Sequence, residues 1–293
     1  MKVGLIGAGA MGLAMAQRLR DGGHAVSVRD IDPARETLAR AAGCGVAASP
    51  AHVARDVDLL IVTVVDGAQT HEVLFGAQGA AHALRRGSLV LLCATISPEE
   101  AALAATQLAE LGVDALDAPM SGGPQRAREG HMSLMVAGPE PAFRRCLPLL
   151  RELATRVFCI GPRVGDGART KIVNNLLAAI NLAGTAEALA LARKLGLDAA
   201  TTLGVIEQSS GQSWIGSDRA HRWLAGDASV RARVALLAKD SALALAAAAG
   251  DAELLPLGRA AAAAFAQAVD AGLADADDAA LIAQALARLA RSA

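Results

Sequence analysis

The stretch that decides the fold reads Gly165-Asp-Gly-Ala-Arg-Thr-Lys171-Ile-Val-Asn174-Asn175-Leu-Leu-Ala-Ala-Ile-Asn181-Leu-Ala-Gly-Thr-Ala-Glu187. After its opening glycines, good helix formers continue without a proline to about Leu195, which predicts one helix roughly 40 Å long. The segment is apolar on several faces, as is typical of a helix buried between two bodies. Lys171, Asn174 and Asn175 share one face near its start. A solvated first turn would also explain these polar residues, so the rest of the chain must decide between the two interpretations.

Composition narrows the class of protein. The 293 residues carry a net charge of −1, with 2% aromatic residues and no tyrosine, which argues against nucleic-acid binding and a polybasic membrane role. Charges interrupt the apolar tail, so no membrane span is expected. The four cysteines and six histidines lack the spacing of a metal site or a disulfide framework, which predicts core cysteines, no metal and a reducing, cytoplasmic location.

Short apolar runs recur through the first half of the chain and are separated by helix-length segments. This alternation predicts a largely parallel, doubly wound sheet that ends near Gly161-Pro162. The predicted strands are Lys2 to Ile6, Ala25 to Arg29, Leu59 to Val65, Leu89 to Cys93, Val113 to Asp117, Ser133 to Ala137 and Arg156 to Ile160.

A glycine-rich turn follows the first predicted strand and opens the first predicted helix. It reads Gly7-Ala8-Gly9-Ala10-Met11-Gly12, and its position between a strand and a helix makes it a strong dinucleotide-binding signal. Gly7 permits the tight turn, Gly9 lets the backbone approach a pyrophosphate, and Gly12 allows close packing of helix on strand. The helix N-terminus then supplies N–H groups and partial positive charge for the phosphates.

Asp30 ends the second predicted strand, where a carboxylate can accept hydrogen bonds from both ribose hydroxyls. It would repel a 2′-phosphate, so it favours NAD over NADP. Arg29 and Arg35 lie close by in sequence and leave NADP open, since a guanidinium binds phosphate well. A helix or turn cap beside Asp32-Pro33 is compatible with the same position of Asp30.

Two further segments follow predicted strands, at the edge where open α/β sheets bind ligands. Thr95 comes first; its hydroxyl fits a nicotinamide site or an ordinary turn. Ser121-Gly122-Gly123 comes second and exposes consecutive N–H groups with a hydroxyl, a natural cradle for a carboxylate.

Taken together and in this order, these motifs resemble the β-hydroxyacid dehydrogenase family, which includes 3-hydroxyisobutyrate, tartronate semialdehyde and threonate enzymes. The resemblance covers essentially the whole chain. It implies a Rossmann domain joined by a long interdomain helix to an all-α domain, with NAD(P) and a small hydroxycarboxylic acid meeting in the cleft. It also implies a homodimer or homotetramer.

The resemblance assigns roles to individual residues. Lys171 matches the catalytic lysine and Asn175 its neighbouring amide, while Asn174 falls at a position that is often asparagine. Ser121, Gly122 and Gly123 match the substrate-carboxylate loop. Lys239 matches a lysine near the cofactor, within the pair Lys239-Asp240, and Thr95 matches a cofactor or substrate contact.

The chain also departs from the family pattern. Gln125, Arg126 and Arg128 replace the small residues usual after the Ser-Gly-Gly loop, and Ser241 stands where leucine is common. The arginines rest on the surface or add charge near the mouth of the cleft, which leaves the size of the substrate open.

From about Arg163 onward no strand-like run appears, so the sequence predicts domains of residues 1–162 and 163–293, the second all-helical. The run Ser209-Ser-Gly-Gln212-Ser213-Trp214 interrupts the helices. It ends a helix beside a packed tryptophan, or it supplies substrate contacts of the kind seen in the threonate branch that the sequence resembles.

The chemistry expected is hydride transfer between a hydroxyacid and the nicotinamide, with Lys171 accepting or donating the hydroxyl proton. Semialdehyde reduction and an imine reductase of the same architecture remain alternatives, although imine reductases usually lack the lysine and the carboxylate loop. A non-catalytic dinucleotide-sensing module is the third.

Overall fold

The structure, a computed structural model, describes residues 1–291, and the contacts divide the chain into two compact units. The first unit is Met1–Lys171 and the second begins at Ile172. This division falls inside one long helix, nine residues beyond the predicted domain boundary after Pro162, which stays a prediction.

The first unit contains a mixed sheet whose nine strands all lie among the described residues. The strands are β1 (Lys2–Ile6), β2 (Ala25–Arg29), β3 (Gly45–Val46), β4 (Leu59–Val62), β5 (Leu89–Leu92), β6 (Asp114–Asp117), β7 (Met120–Ser121), β8 (Met132–Ala137) and β9 (Ala154–Gly161). The seven predicted strands are present. The sequence did not reveal β3 and β7, because two residues are too few to show a periodicity.

The helices of the first unit lie between these strands. They are α1 (Ala10–Asp21), α2 (Pro33–Ala41), α3 (Pro50–Ala54), α4 (Gly67–Phe75), α5 (Pro98–Glu110), α6 (Gly123–Glu129) and α7 (Glu140–Leu153), with a 3₁₀ turn at Ala81–Ala83. Helix α8 (Asp166–Lys194) then begins in this unit and continues into the second. Its 29 residues confirm the long helix predicted from the sequence.

The strand order is β3-β2-β1-β4-β5-β6-β8-β7, and β9 pairs with β8. Strands β1 to β6 are mutually parallel, while β8 runs antiparallel to β6. Reversal of order between β1 and β4 places a switch point at the carboxyl end of β1, where such sheets bind ligands. The predicted α/β Rossmann class is confirmed.

Two hydrophobic clusters cover the two faces of this sheet. Along β4, Leu59 and Ile61 belong to one cluster, whereas Leu60 and Val62 belong to the other. This alternation follows from the two-residue period of a strand and explains why the strands read as continuous apolar runs.

In its described part, the second unit is helical beyond α8, as predicted, apart from an isolated bridge between Arg233 and Asp277. Its helices are α9 (Ala199–Glu207), α10 (Trp214–Leu224), α11 (Val234–Ala247), α12 (Pro256–Ala268) and α13 (Ala280–Arg291), with a 3₁₀ turn at Asp251–Leu254 and a π-helical turn at Val269–Leu273. A third hydrophobic cluster, which includes Leu182 and Phe265, forms its core.

The composition predicts core cysteines and no membrane span. Cys159 is exposed on β9, so the prediction that all four cysteines are core residues is wrong there, because β9 pairs only with β8 among the described strands. Helix α8 is long and apolar enough to cross a bilayer by length and composition, as core helices of soluble proteins also are, and 39% of its most apolar window is buried.

Candidate functional site

The glycine turn after β1 has the geometry of a phosphate cradle. Gly7 adopts φ +95°, and a Cβ on Gly12 would lie 1.9 Å from the Gly7 carbonyl oxygen. A Cβ on Gly9 would meet nothing within 4 Å, and Gly9, the N-cap of α1, provides no side-chain cap for that helix. The turn is therefore closely packed at Gly12 and open at Gly9. No capping side chain covers the N–H groups in the first turn of α1. These features fit the pyrophosphate of a dinucleotide, with Ala10 and Met11 in the first turn.

Asp30 follows β2 and bridges backbone on both sides. Its Oδ2 accepts a hydrogen bond from the N–H of Ala8 at 2.5 Å, and its Oδ1 accepts one from Asp32 at 2.9 Å. The carboxylate is thus held beside the glycine turn, as the ribose contact requires. Each oxygen retains a lone pair for a ribose hydroxyl.

The two arginines that could bind the 2′-phosphate of NADP, Arg29 and Arg35, have different partners. Arg29 Nη1 lies 2.6 Å from Glu36 Oε1, in a pair that is largely shielded from solvent. Arg35 is more exposed and lies 3.9 Å from Asp32. The guanidinium next to Asp30 is therefore already engaged by a carboxylate.

Thr95 is half-buried beyond the end of β5, two residues before α5 begins its capping box. Ser97 Oγ accepts the N–H of Glu100, and the Glu100 carboxylate accepts the N–H of Ser97. The start of α5 is thereby fixed, which holds the Thr95 segment at the carboxyl end of the parallel strands.

The Ser121-Gly122-Gly123 segment joins β7 to α6. Ser121 pairs with Ser133 on β8, while Gly122 and Gly123 adopt φ +135° and +77°. Residues that have a side chain rarely adopt these backbone angles, so glycine is required at both positions. The Arg126 side chain packs against Gly122, where a Cβ would lie 3.1 Å from its Cδ. Arg126, one of the arginines that depart from the family pattern, therefore lies beside the proposed carboxylate loop.

Lys171 is buried, with 8% of its surface exposed. Its helix starts at a carboxylate: Asp117 Oδ2, at the end of β6, accepts hydrogen bonds from the N–H groups of Gly165 at 3.0 Å and Ala168 at 2.7 Å. Close approach depends on Gly167, whose Cβ would lie 3.0 Å from that same oxygen. Lys171 is three residues beyond Ala168, so Asp117 fixes the turn that carries the lysine at the carboxyl end of the sheet. The interpretation of Lys171 as part of a solvated first turn is wrong.

The environment of Asp117 shifts its proton affinity. Burial raises the pKa of this carboxyl from 3.8 to about 6, although the backbone N–H groups at the start of α8 oppose the shift. Its Oδ1 is buried and has no hydrogen-bond partner among the described residues. Burial of the Asp117 carboxylate therefore costs free energy, and the same carboxylate holds the start of α8 through its hydrogen bonds.

In the second unit, Asn175 is buried and its Nδ2 donates to Asp240 Oδ2 at 2.6 Å. Asp240 Oδ1 lies 2.8 Å from Lys239 Nζ on the same helix, α11. Asn174 is exposed, and its Nδ2 donates to the Asn175 side-chain oxygen at 3.0 Å. Of the two amides predicted to share a face with Lys171, Asn175 is buried and Asn174 is exposed.

The structure therefore groups the predicted residues in two sets. The first unit collects the glycine turn, Asp30, Thr95, the Ser-Gly-Gly segment and Lys171 at the carboxyl ends of its strands. The second unit holds Asn174, Asn175 and Lys239. Sequence reasoning missed Asp117 and the partnership of Asp240 with Asn175; the Asp117-Ala-Pro motif and the Lys239-Asp240 pair were the signals available.

Among residues 1–291, no group of three or more His, Cys, Asp or Glu side chains lies together in a way that could hold a metal ion.

Residues 2–161 match the family model described as the NAD binding domain of 6-phosphogluconate dehydrogenase. Residues 165–285 match that described as NAD-binding of NADP-dependent 3-hydroxyisobutyrate dehydrogenase.

Individual proteins give the same picture. L-threonate dehydrogenase of Cupriavidus necator is 39% identical over 96% of this chain and 94% of its own length. The crystal structure of a 3-hydroxyisobutyrate dehydrogenase from Salmonella typhimurium superposes with TM-score 0.87 at 35% identity, covering 96% of this chain and 99% of that one. An imine reductase of Streptomyces aurantiacus covers 97% of this chain and 99% of its own with TM-score 0.67 and 26% identity, a weaker likeness.

Proposed function

Because the chain belongs to the β-hydroxyacid dehydrogenase family and is an NAD(P)-dependent oxidoreductase acting on CH–OH groups of small hydroxyacids, we propose that its substrate is a four-carbon sugar acid of the L-threonate type. The observation that carries the catalytic assignment is the buried Lys171, on a helix whose first turn is held by Asp117. The likeness to L-threonate dehydrogenases along nearly the whole chain supports the choice of substrate.

The proposed mechanism assigns one task to each group. NAD, when bound, supplies the hydride acceptor. Lys171 Nζ takes the proton of the substrate hydroxyl during oxidation and returns it during reduction. Asn175, fixed by Asp240, orients the hydroxyl or the ammonium by hydrogen bonding. Ser121, Gly122 and Gly123 hold the substrate carboxylate, which decides the carbon that faces the cofactor.

The assembly and location are further parts of this proposal. We infer a cytoplasmic homodimer or homotetramer that binds neither nucleic acid nor membrane. Large apolar side chains of the second unit support association, because Val173, Leu177, Leu254 and Leu257 are each more than half exposed. Light scattering coupled to gel filtration measures the assembly directly.

A substrate panel tests the activity. Purified protein is assayed with L-threonate, D-erythronate, 3-hydroxyisobutyrate and glycerate with NAD⁺ or NADP⁺, and with tartronate semialdehyde or a cyclic imine with NADH or NADPH. We expect a four-carbon sugar acid with NAD⁺ to give the highest kcat/KM, by about tenfold or more. Turnover of the imine alone, or cofactor binding without turnover of any compound, would contradict the proposal.

A further inference from the structure

The end of β2 contains a charge arrangement that bears on the choice between NAD and NADP. These cofactors differ by one phosphate on the adenosine ribose, and the ribose is expected at Asp30. Arg29, the neighbouring residue, carries the guanidinium that would suit that phosphate best, because its planar fork matches phosphate oxygens. The position of this guanidinium therefore matters for recognition.

Glu36, on α2, forms an ion pair with this guanidinium. Its Oε1 lies 2.6 Å from Arg29 Nη1 and accepts the backbone N–H of Asp30 at 3.3 Å. Arg29 Nη1 also donates to the carbonyl oxygen of Asp30 at 2.5 Å. One glutamate oxygen thus binds both the arginine and the backbone of the residue expected to contact ribose.

The pair is not a loose surface contact. The Glu36 side chain is 15% exposed and that of Arg29 is 27% exposed, so the attraction is less screened than between solvated ions. By contrast, Arg35 is 44% exposed and 3.9 Å from its acidic neighbour Asp32. Of the two nearby arginines, Arg29 has the shorter and more buried ion pair.

We propose that Glu36 is a cofactor-specificity residue, which holds Arg29 in an ion pair and so denies the 2′-phosphate of NADP its best cationic partner. Asp30 discourages the phosphate by its own charge, and Glu36 removes the compensating charge. This inference rests on the NAD(P) assignment and not on the identity of the hydroxyacid.

The test is a binding titration, which needs no substrate. Dissociation constants of NADH and NADPH are measured by nucleotide fluorescence for the wild type, E36Q and the double variant R29A/E36Q. The wild type is expected to bind NADH more tightly. E36Q is expected to improve NADPH binding relative to NADH by about tenfold, the gain from one charge-assisted contact. In R29A/E36Q the ratio should return to within about twofold of the wild-type value, since the phosphate has lost that contact again.

Two further variants complete the design. E140Q breaks the exposed Glu140–Arg144 pair on α7 and controls for the loss of one negative charge; its ratio should equal that of the wild type. E36D shortens the carboxylate and should shift the ratio in the direction of E36Q, which keeps the test valid if E36Q folds poorly. The proposal is overturned if the wild type prefers NADPH, if E36Q and E36D both leave the ratio unchanged, or if R29A/E36Q keeps the gain.

Discussion

Asp117 accepts a 2.7 Å hydrogen bond from the backbone N–H of Ala168, a residue 51 positions later in the chain. A strand end and a helix start are thereby joined through one buried carboxylate, one turn before Lys171. Both the stability and the pH response of this unit should depend on that contact.

The first prediction concerns pH. Because burial raises the pKa of Asp117 to about 6, its contribution to stability is fully present below the unfolded value of 3.8 and is lost as pH rises through about 6. D117N removes this titration, so its melting temperature relative to the wild type should rise between pH 4 and pH 7. The total change corresponds to about 3 kcal/mol at most. Thermal unfolding followed by circular dichroism measures it.

D114N provides the matched control for this experiment, since Asp114 lies on the same strand but forms a partly exposed pair with Arg145. Its stability difference from the wild type should not follow the same pH course. If D117N and the wild type keep a constant difference across this range, Asp117 does not titrate as described.

The second prediction tests Lys171. K171A should lower kcat by at least about 100-fold, because proton transfer by a positioned side chain contributes that much. NADH binding, measured by fluorescence, should remain close to normal. K171R keeps the charge but is a far poorer proton acceptor, so it should also be slow. Near-normal turnover in either variant would refute the catalytic assignment.

A double-mutant cycle tests the pair of Asn175 and Asp240. D240A removes the acceptor of a 2.6 Å hydrogen bond and leaves a buried amide donor unpaired, which costs about 1–3 kcal/mol. N175A removes that donor, so the double variant should be less destabilised than the sum of the two single changes. Chemical denaturation of all four proteins gives the coupling energy. Strict additivity would mean that the contact contributes nothing to stability.

Two alanine substitutions in the glycine turn should separate folding from cofactor binding. G12A places a methyl group against the Gly7 carbonyl oxygen and should lower the melting temperature strongly. G9A meets open space and should cost less than about 1 kcal/mol in stability. Its methyl group nevertheless projects where the pyrophosphate must approach, so NADH affinity should fall. A G9A protein with full NADH affinity would argue against this cradle.

The sequence was informative wherever the signal was local. The turn from Gly7 to Gly12, the capping box at Ser97 and the long α8 are each encoded by adjacent residues, and the structure contains them. The two-residue strands β3 and β7 carry too little pattern to be detected. The register of the strands, the distant partners of buried polar groups and the burial of individual side chains depend on residues far apart in the chain, so they were not predictable.

The polar residues of the candidate site show this limit well. Helical spacing placed both Asn174 and Asn175 beside Lys171, but only packing decides that Asn175 is buried and Asn174 is exposed. Likewise, Asp117 and Asp240 meet their partners across 48 to 65 residues of sequence. A single sequence does not show which distant residues come into contact.

Helix α8 contributes residues to both units, and this has a practical consequence for the choice of fragment boundaries. A fragment that stops at Pro162 would discard Gly165 and Ala168, whose N–H groups donate to Asp117 Oδ2, and would expose a carboxyl group that is buried in the intact chain. Excision of the nucleotide-binding half should therefore retain the opening turns of this helix, even though most of its length serves the other half.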